Sequence, residues 1–95
     1  MGEDLEVFAI ACAVARYVSA NPLASDTPEG IYRWWLGADE CSMDQLLSAL
    51  AWMKERGLME EQVALDGRAR YRRSAKDDQL NRLLEDCAGV PAVRH

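Results

Sequence analysis

Apolar and polar positions change period several times along this chain. Between Leu5 and Val18 there is no glycine or proline, and Leu5, Phe8, Ile10, Ala11, Cys12, Val14, Ala15, Tyr17 and Val18 are apolar. A helix burying one face needs a stripe of about 100° of its circumference. These positions cover more than that, which leaves two readings of the first helix. Either it has two buried sides, the second against a partner subunit, or small alanines occupy a wetted face. Asn21-Pro22 ends this helix. Ser25-Asp26-Thr27-Pro28-Glu29 reads as the next helix start, with Thr27 as N-cap, Pro28 at the first helical position and Glu29 complementing the dipole. The second helix runs from Gly30 to Leu36 and stops at Gly37. After the short turn 37–41, Ser42 and Gln45 match a capping box. They open a third helix from Met43 to Arg56 that buries Leu46, Leu47, Leu50 and Met53 and ends at Gly57, a C′ glycine.

The period then falls to two. Leu58 to Leu65 reads as a strand and Ala69 to Arg73 as its hairpin partner, joined at Asp66-Gly67, a pair suited to a two-residue type I′ turn. Alternation places Arg68, Arg70 and Arg72 on one face and Ala69 and Tyr71 on the other. Ser74-Ala75-Lys76-Asp77 resembles another cap. It leads into a last helix in which Leu80, Leu83, Leu84 and Cys87 fall at i, i+3, i+4 and i+7. The fold expected is mainly α with a small β-hairpin (α+β): one domain over residues 1–90, then a flexible tail, 91–95, containing Pro91.

Composition sharpens this picture. Ninety-five residues with 49% apolar content support one modest core. The net charge of −5 hides an uneven distribution: residues 1–65 balance to −7, residues 66–76 to +4 and residues 77–95 to −2. Basic character is confined to one ribbon, whose apolar underside suits it to lying along a polyanion. Cys12, Cys41 and Cys87 are odd in number, far apart and without a CxxC or Cys/His pairing, so reduced thiols are expected, with Cys12 and Cys87 as small buried hydrophobes. Cys41 lies beside Glu40 and Asp44, which raise a thiol pKa and disfavour redox sensing. The acidic opening Met1-Gly2-Glu3-Asp4 differs from a signal peptide, and the apolar run Val7–Ala15 is too short to span a bilayer. A cytoplasmic protein without membrane partners is expected. The single histidine is His95 and the glycines are scattered, so no nucleophile–base pair, phosphate loop or zinc site can be assembled. No enzyme activity, metal or cofactor is expected.

The succession helix, helix, turn, helix, hairpin, helix carries a family likeness. Ile31-Tyr32 and Trp35-Leu36-Gly37, the run Met53-Lys54-Glu55-Arg56-Gly57-Leu58-Met59, and Asp66-Gly67-Arg68-Ala69-Arg70 resemble, in turn, the second helix, the end of the recognition helix and the wing of MarR-type bacterial transcription regulators. The resemblance covers Thr27 to Ser74. It implies a winged helix-turn-helix, with a three-helix core, a wing and a C-terminal helix. It also implies a transcriptional regulator that binds double-stranded DNA as a homodimer through its first and last helices. The third helix would enter the major groove and the wing the neighbouring minor groove or backbone.

On that reading Ser42, Asp44, Gln45 and Ser48 face DNA, while Arg68, Arg70, Arg72 and Arg73 neutralise phosphate. Gln45 would read an adenine edge and the serines bases or phosphates. Asp44 resists this scheme, because a carboxylate near phosphates is repelled unless it accepts from a cytosine amine. The alternative for the ribbon is a solvated hairpin whose arginines pair with Glu60, Glu61 or Gln62 across the ladder. The alternative for the whole is an acidic winged-helix protein-interaction module, an adaptor or inhibitor that does not bind DNA. Its contact surface would be the acidic third helix and the tryptophans. Trp34 and Trp35 diverge by about 100° on a helix, so one indole packs and the other is exposed or at an interface. Trp52 lies on or beside the third helix.

Overall fold

A computed structural model of the chain describes residues 2–37, 41–74 and 76–89. The expected turn residues 38–40, Ala75 of the expected cap and the expected tail lie outside these. The helix α1 spans Gly2–Ala20, longer than the apolar run that announced it, and β1 spans Ser25–Asp26. A single turn, α2 (Pro28–Gly30), continues into a wider π-helical stretch, Ile31–Trp35. Then come α3 (Met43–Glu55), β2 (Met59–Val63), β3 (Ala69–Arg73) and α4 (Asp77–Asp86), closed by a 3₁₀ turn, Cys87–Gly89. The fold is α+β, with an antiparallel sheet ordered β1-β3-β2.

Both buried sides of α1 are occupied from within the chain. Ile10, Ala11, Cys12, Val14, Ala15 and Val18 are all buried, and α1 packs on α3 and on α4. The breadth of its apolar surface therefore has an internal cause, and a partner subunit is not needed to explain it. Along the α4 side, Phe8, Cys12 and Arg16 follow one another at i, i+4 and i+8, the spacing of one helix face. Cys12 is disulfide-bonded to Cys87 with a Cα–Cα distance of 5.8 Å, inside the usual range for a bridge. The Arg16 guanidinium donates to the Cys87 carbonyl at 3.2 Å. This corrects the expectation of reduced thiols. The two cysteines lie 75 residues apart, and only the placement of α4 along α1 brings them together. Cys41 is half-buried and outside that bond.

Local signals hold where one residue type solves one backbone problem. Thr27 Oγ1 accepts from the Gly30 amide at 3.2 Å. Both arms of the Ser42/Gln45 capping box form, with Gln45 N donating to Ser42 Oγ at 3.1 Å and Ser42 N to Gln45 Oε1 at 3.0 Å. Four local details differ from expectation. Ser25-Asp26, read as the lead-in to a helix, pairs with Arg72 and Tyr71 as an edge strand. The second helix widens, the Leu36 amide reaching the Ile31 carbonyl at 3.1 Å. In that wider turn Trp35 stacks on Tyr17 with centroids 4.5 Å apart, while Trp34 is left 75% exposed. On α3, Ala49 takes the buried place expected of Leu47, which is 42% exposed. The α4 N-cap is Lys76, whose amide donates to Gln79 Oε1 at 3.0 Å. Ser74 instead binds back to the Gly57 carbonyl at 2.8 Å.

The hairpin turn also differs from the two-residue form. Gly67 N donates to the Ala64 carbonyl at 2.9 Å and Ala64 N to the Arg68 carbonyl at 2.8 Å. The loop is therefore three residues, Leu65, Asp66 and Gly67. A type I′ turn would need positive φ at Asp66 as well, and among the described residues only glycines adopt it, Gly67 at φ 86°. A type I turn followed by a left-handed glycine satisfies the same strand twist. Gly67→Ala places a Cβ in that region at a cost of about 1–2 kcal/mol, and thermal denaturation should show a loss of roughly 4–8 °C per kcal/mol. An unchanged midpoint would contradict the assigned turn.

Candidate interaction surface

Two elements were expected to meet a partner, the outer face of α3 and the hairpin. Alternation along β3 follows expectation: Arg70 and Arg72 are exposed, while Ala69 and Tyr71 are partly covered. Arg68 lies in the loop connection, its side chain 79% exposed and 3.9 Å from Asp66. The other guanidiniums fold back. Arg72 pairs with Glu60, its directly opposite neighbour on β2, and Arg73 pairs with Asp77 at the start of α4. Arg70 Nη2 donates to the Ser25 carbonyl at 2.9 Å on β1. Arg73 shares the Tyr71 face of the strand and is 12% exposed, so it is withdrawn from solvent rather than added to the ribbon.

Exposed ion pairs of this kind are worth at most about 1 kcal/mol each. Their consequence lies in the field they cancel. Arg68, Arg72 and Arg73 each have a carboxylate at close range, so their charges offset one another within a Debye length of about 10 Å. Arg70 is the hairpin guanidinium bonded to a carbonyl instead of a carboxylate, and it keeps its full charge.

On α3 the outward residues are Asp44, Leu47, Ser48, Ala51, Lys54 and Glu55, a stripe at i, i+3, i+4, i+7, i+10 and i+11. Ser42 is exposed, but its hydroxyl caps the helix. Gln45 differs most from its expected role. Its Oε1 accepts from Ser42 N and its Nε2 donates to a Glu6 carboxylate oxygen on α1, so both ends of the amide are engaged and neither presents to an adenine. Asp44 and Ser48 are exposed. The stripe has an apolar middle, Leu47 and Ala51, with an acid at each end and one lysine.

That lysine ties α3 to the sheet. Lys54 Nζ donates to Glu61 Oε1 at 2.8 Å, and Glu61 stands opposite Tyr71 in the ladder. The bond from Lys54 holds the Glu61 carboxyl below the ordinary carboxylate range, and Glu61 raises the Lys54 ammonium in turn. Burial, with the Glu61 charge adding to it, raises the Tyr71 phenol. This cluster was not singled out from the sequence, although the strand register alone places Glu61 opposite Tyr71.

A second surface lies between α1, α3 and α4. A cleft of about 290 Å³ is lined by Phe8, Trp52, Leu58 and Leu83 among apolar groups, and by Arg56, Arg82, Gln79 and Asp86. Phe8 meets the Trp52 ring edge-to-face with centroids 5.8 Å apart. The Arg56 guanidinium lies 4.1 Å over the same ring, an arrangement that shields the indole and holds the cation. The three indoles thus go to three places: Tyr17, Phe8 and solvent. No helix among the described residues is long and apolar enough to cross a membrane. Nor do those residues form a group of three or more His, Cys, Asp or Glu side chains able to hold a metal.

The pH dependence of the Lys54–Glu61 bond follows from its sign. A carboxyl depressed by folding contributes stability above its unfolded value, about 4.3, and loses it as pH falls through the lower folded value. Carbon-detected titration should give Glu61 a midpoint below that of a free glutamate, and Lys54→Met should return it to the ordinary range. A wild-type midpoint already in the ordinary range would contradict the bond. No known protein family, curated protein or solved structure matches this chain.

Proposed function

We propose that this domain is a winged-helix protein-interaction module that uses the outer face of α3 to bind a protein partner. The observation that carries the reading is the outward stripe itself: Leu47, Ser48 and Ala51 framed by Asp44 and Glu55. A helix inserted into a major groove is surrounded by phosphate, and its first turns are normally basic or neutral. From Met43 to Met53 this helix has an acid and no lysine or arginine. An apolar centre with a charged rim is instead the anatomy of a protein interface. The helix–strand order and the β1-β3-β2 sheet support the winged-helix arrangement, with α3 in the recognition position.

DNA binding by a homodimer is the second reading, and Arg68 and Arg70 favour it. Arg68 is the most exposed guanidinium with an ion pair, and Arg70 lacks a carboxylate partner among the described residues. Two such contacts predict a shallow salt dependence and weak affinity. The proposed setting is cytoplasmic, and no catalytic role is proposed.

Titration with generic duplex DNA at low salt separates the two readings. The module reading expects no saturable binding tighter than about 10⁻⁴ M, the weak end of non-specific association. Binding that weakens as salt rises, and that is lost in Arg68→Ala/Arg70→Ala, would establish the second reading instead. For the partner, a photo-crosslinking side chain at Ser48 should give a discrete protein adduct that Leu47→Asp abolishes. An adduct indifferent to Leu47→Asp would place the partner elsewhere.

A further inference from the structure

We propose that the Cys12–Cys87 disulfide is a redox latch: it holds α4 against α1, and its reduction releases α4 and the 3₁₀ turn while the rest of the domain stays folded. Two places define the seam between these helices. At one end Phe8 and Leu83 line the same cleft. At the other, Cys12 bonds to Cys87 and Arg16 to the Cys87 carbonyl. The other ties of α4 are the Arg73–Asp77 ion pair at its start and a narrow apolar stripe. Of Asp77–Asp86, only Leu80 and Leu83 are buried, with Leu84 partly covered, while Asp77, Asp78, Gln79, Asn81, Arg82, Glu85 and Asp86 are exposed. Ten residues are too few for a helix to persist in water without packing. The remaining elements hold one another without it: α1 packs on α3, α3 on β2, and β2 on β3.

Both cysteines are fully buried. A reductant therefore reaches a sulfur only when α4 lifts, so opening and reduction are coupled. The chemistry is thiol–disulfide exchange with a dithiol reductant. One thiolate of the dithiol attacks a cystine sulfur, forming a mixed disulfide and expelling the other cysteine as a thiolate, which takes up a proton. The second thiol of the reductant then loses its proton and displaces the first cysteine. Two electrons pass from the dithiol to the protein, leaving Cys12 and Cys87 as thiols and the reductant as its disulfide. In a reducing cytosol, where such bonds seldom persist, the latch is open; under oxidation it closes. Release removes the α4 wall of the cleft and uncovers Phe8, Trp52 and Leu58.

Hydrogen exchange read by mass spectrometry tests this on the full chain, oxidised and after dithiothreitol, with Cys12→Ala/Cys87→Ala as a permanently open form. In both open forms, peptides covering residues 77–89 should lose protection by on the order of tenfold or more, while those covering 43–63 change by less than about threefold, the pattern of a local opening. Ellman titration of the denatured protein should count one thiol before reduction and three after. The latch is overturned if α4 exchanges equally in both redox states. It is overturned equally if the reduced protein and the double variant both lose protection throughout, since the bond is then a global staple.

Discussion

The helical core of this fold is arranged around α1, a helix whose apolar surface is too broad for one neighbour to cover. One flank takes α3 and the other takes α4, so α3 and α4 are both fixed relative to the same rod. The small side chains Ala11, Cys12 and Ala15, all fully buried, permit close approach without voids. The α3 side is an apolar seam. The α4 side is short and amphipathic, and the chain adds a covalent bond there. A domain of this size has little hydrophobic surplus, and the Cys12–Cys87 bond, when oxidised, adds a covalent tie at this seam.

That arrangement decides what α3 can offer. Its inner face, Leu46, Ala49, Leu50 and Met53, is committed to the core. Its N-terminus is held by the Ser42/Gln45 box and by Gln45 reaching Glu6, and its C-terminal end is tied to the sheet through Lys54 and Glu61. What remains outward is small, apolar and acidic. The hairpin, which compensates the acidity of the chain in overall charge, spends most of its positive charge on its own neighbours. Glu60 and Asp77 answer Arg72 and Arg73, and Asp66 lies near Arg68. Local neutralisation makes a basic ribbon in sequence into a nearly neutral one in space.

The parts legible in the sequence were those determined within a few residues. Ser42 with Gln45, Thr27 before Pro28, Gly57 after α3, and the i, i+3, i+4, i+7 stripe of α4 each solve a local problem with a recognisable residue. The parts not legible depend on what the chain brings alongside. Ser25-Asp26 becomes a strand only because β3 presents a free edge, and nothing in two residues announces that. Cys12 and Cys87 pair because α4 lies along α1, a fact invisible at a separation of 75 residues. The wide turn at Ile31–Trp35 arises where Trp35 stacks on Tyr17, a tertiary demand that overrides regular helical spacing. For the candidate site, the residue types on α3 were legible, but the engagement of the Gln45 amide was not, because Glu6 sits 39 positions away.

The central claim is that the hairpin's charge is cancelled by its own carboxylates rather than held ready for a polyanion. The most direct measurement compares DNA affinity at low salt between the wild-type chain and Glu60→Gln, which removes the carboxylate paired with the exposed Arg72. The account predicts a salt-sensitive association that appears or strengthens by about threefold or more in the variant, because the Arg72 guanidinium then acts on phosphate. Equal and appreciable binding by both chains would contradict it.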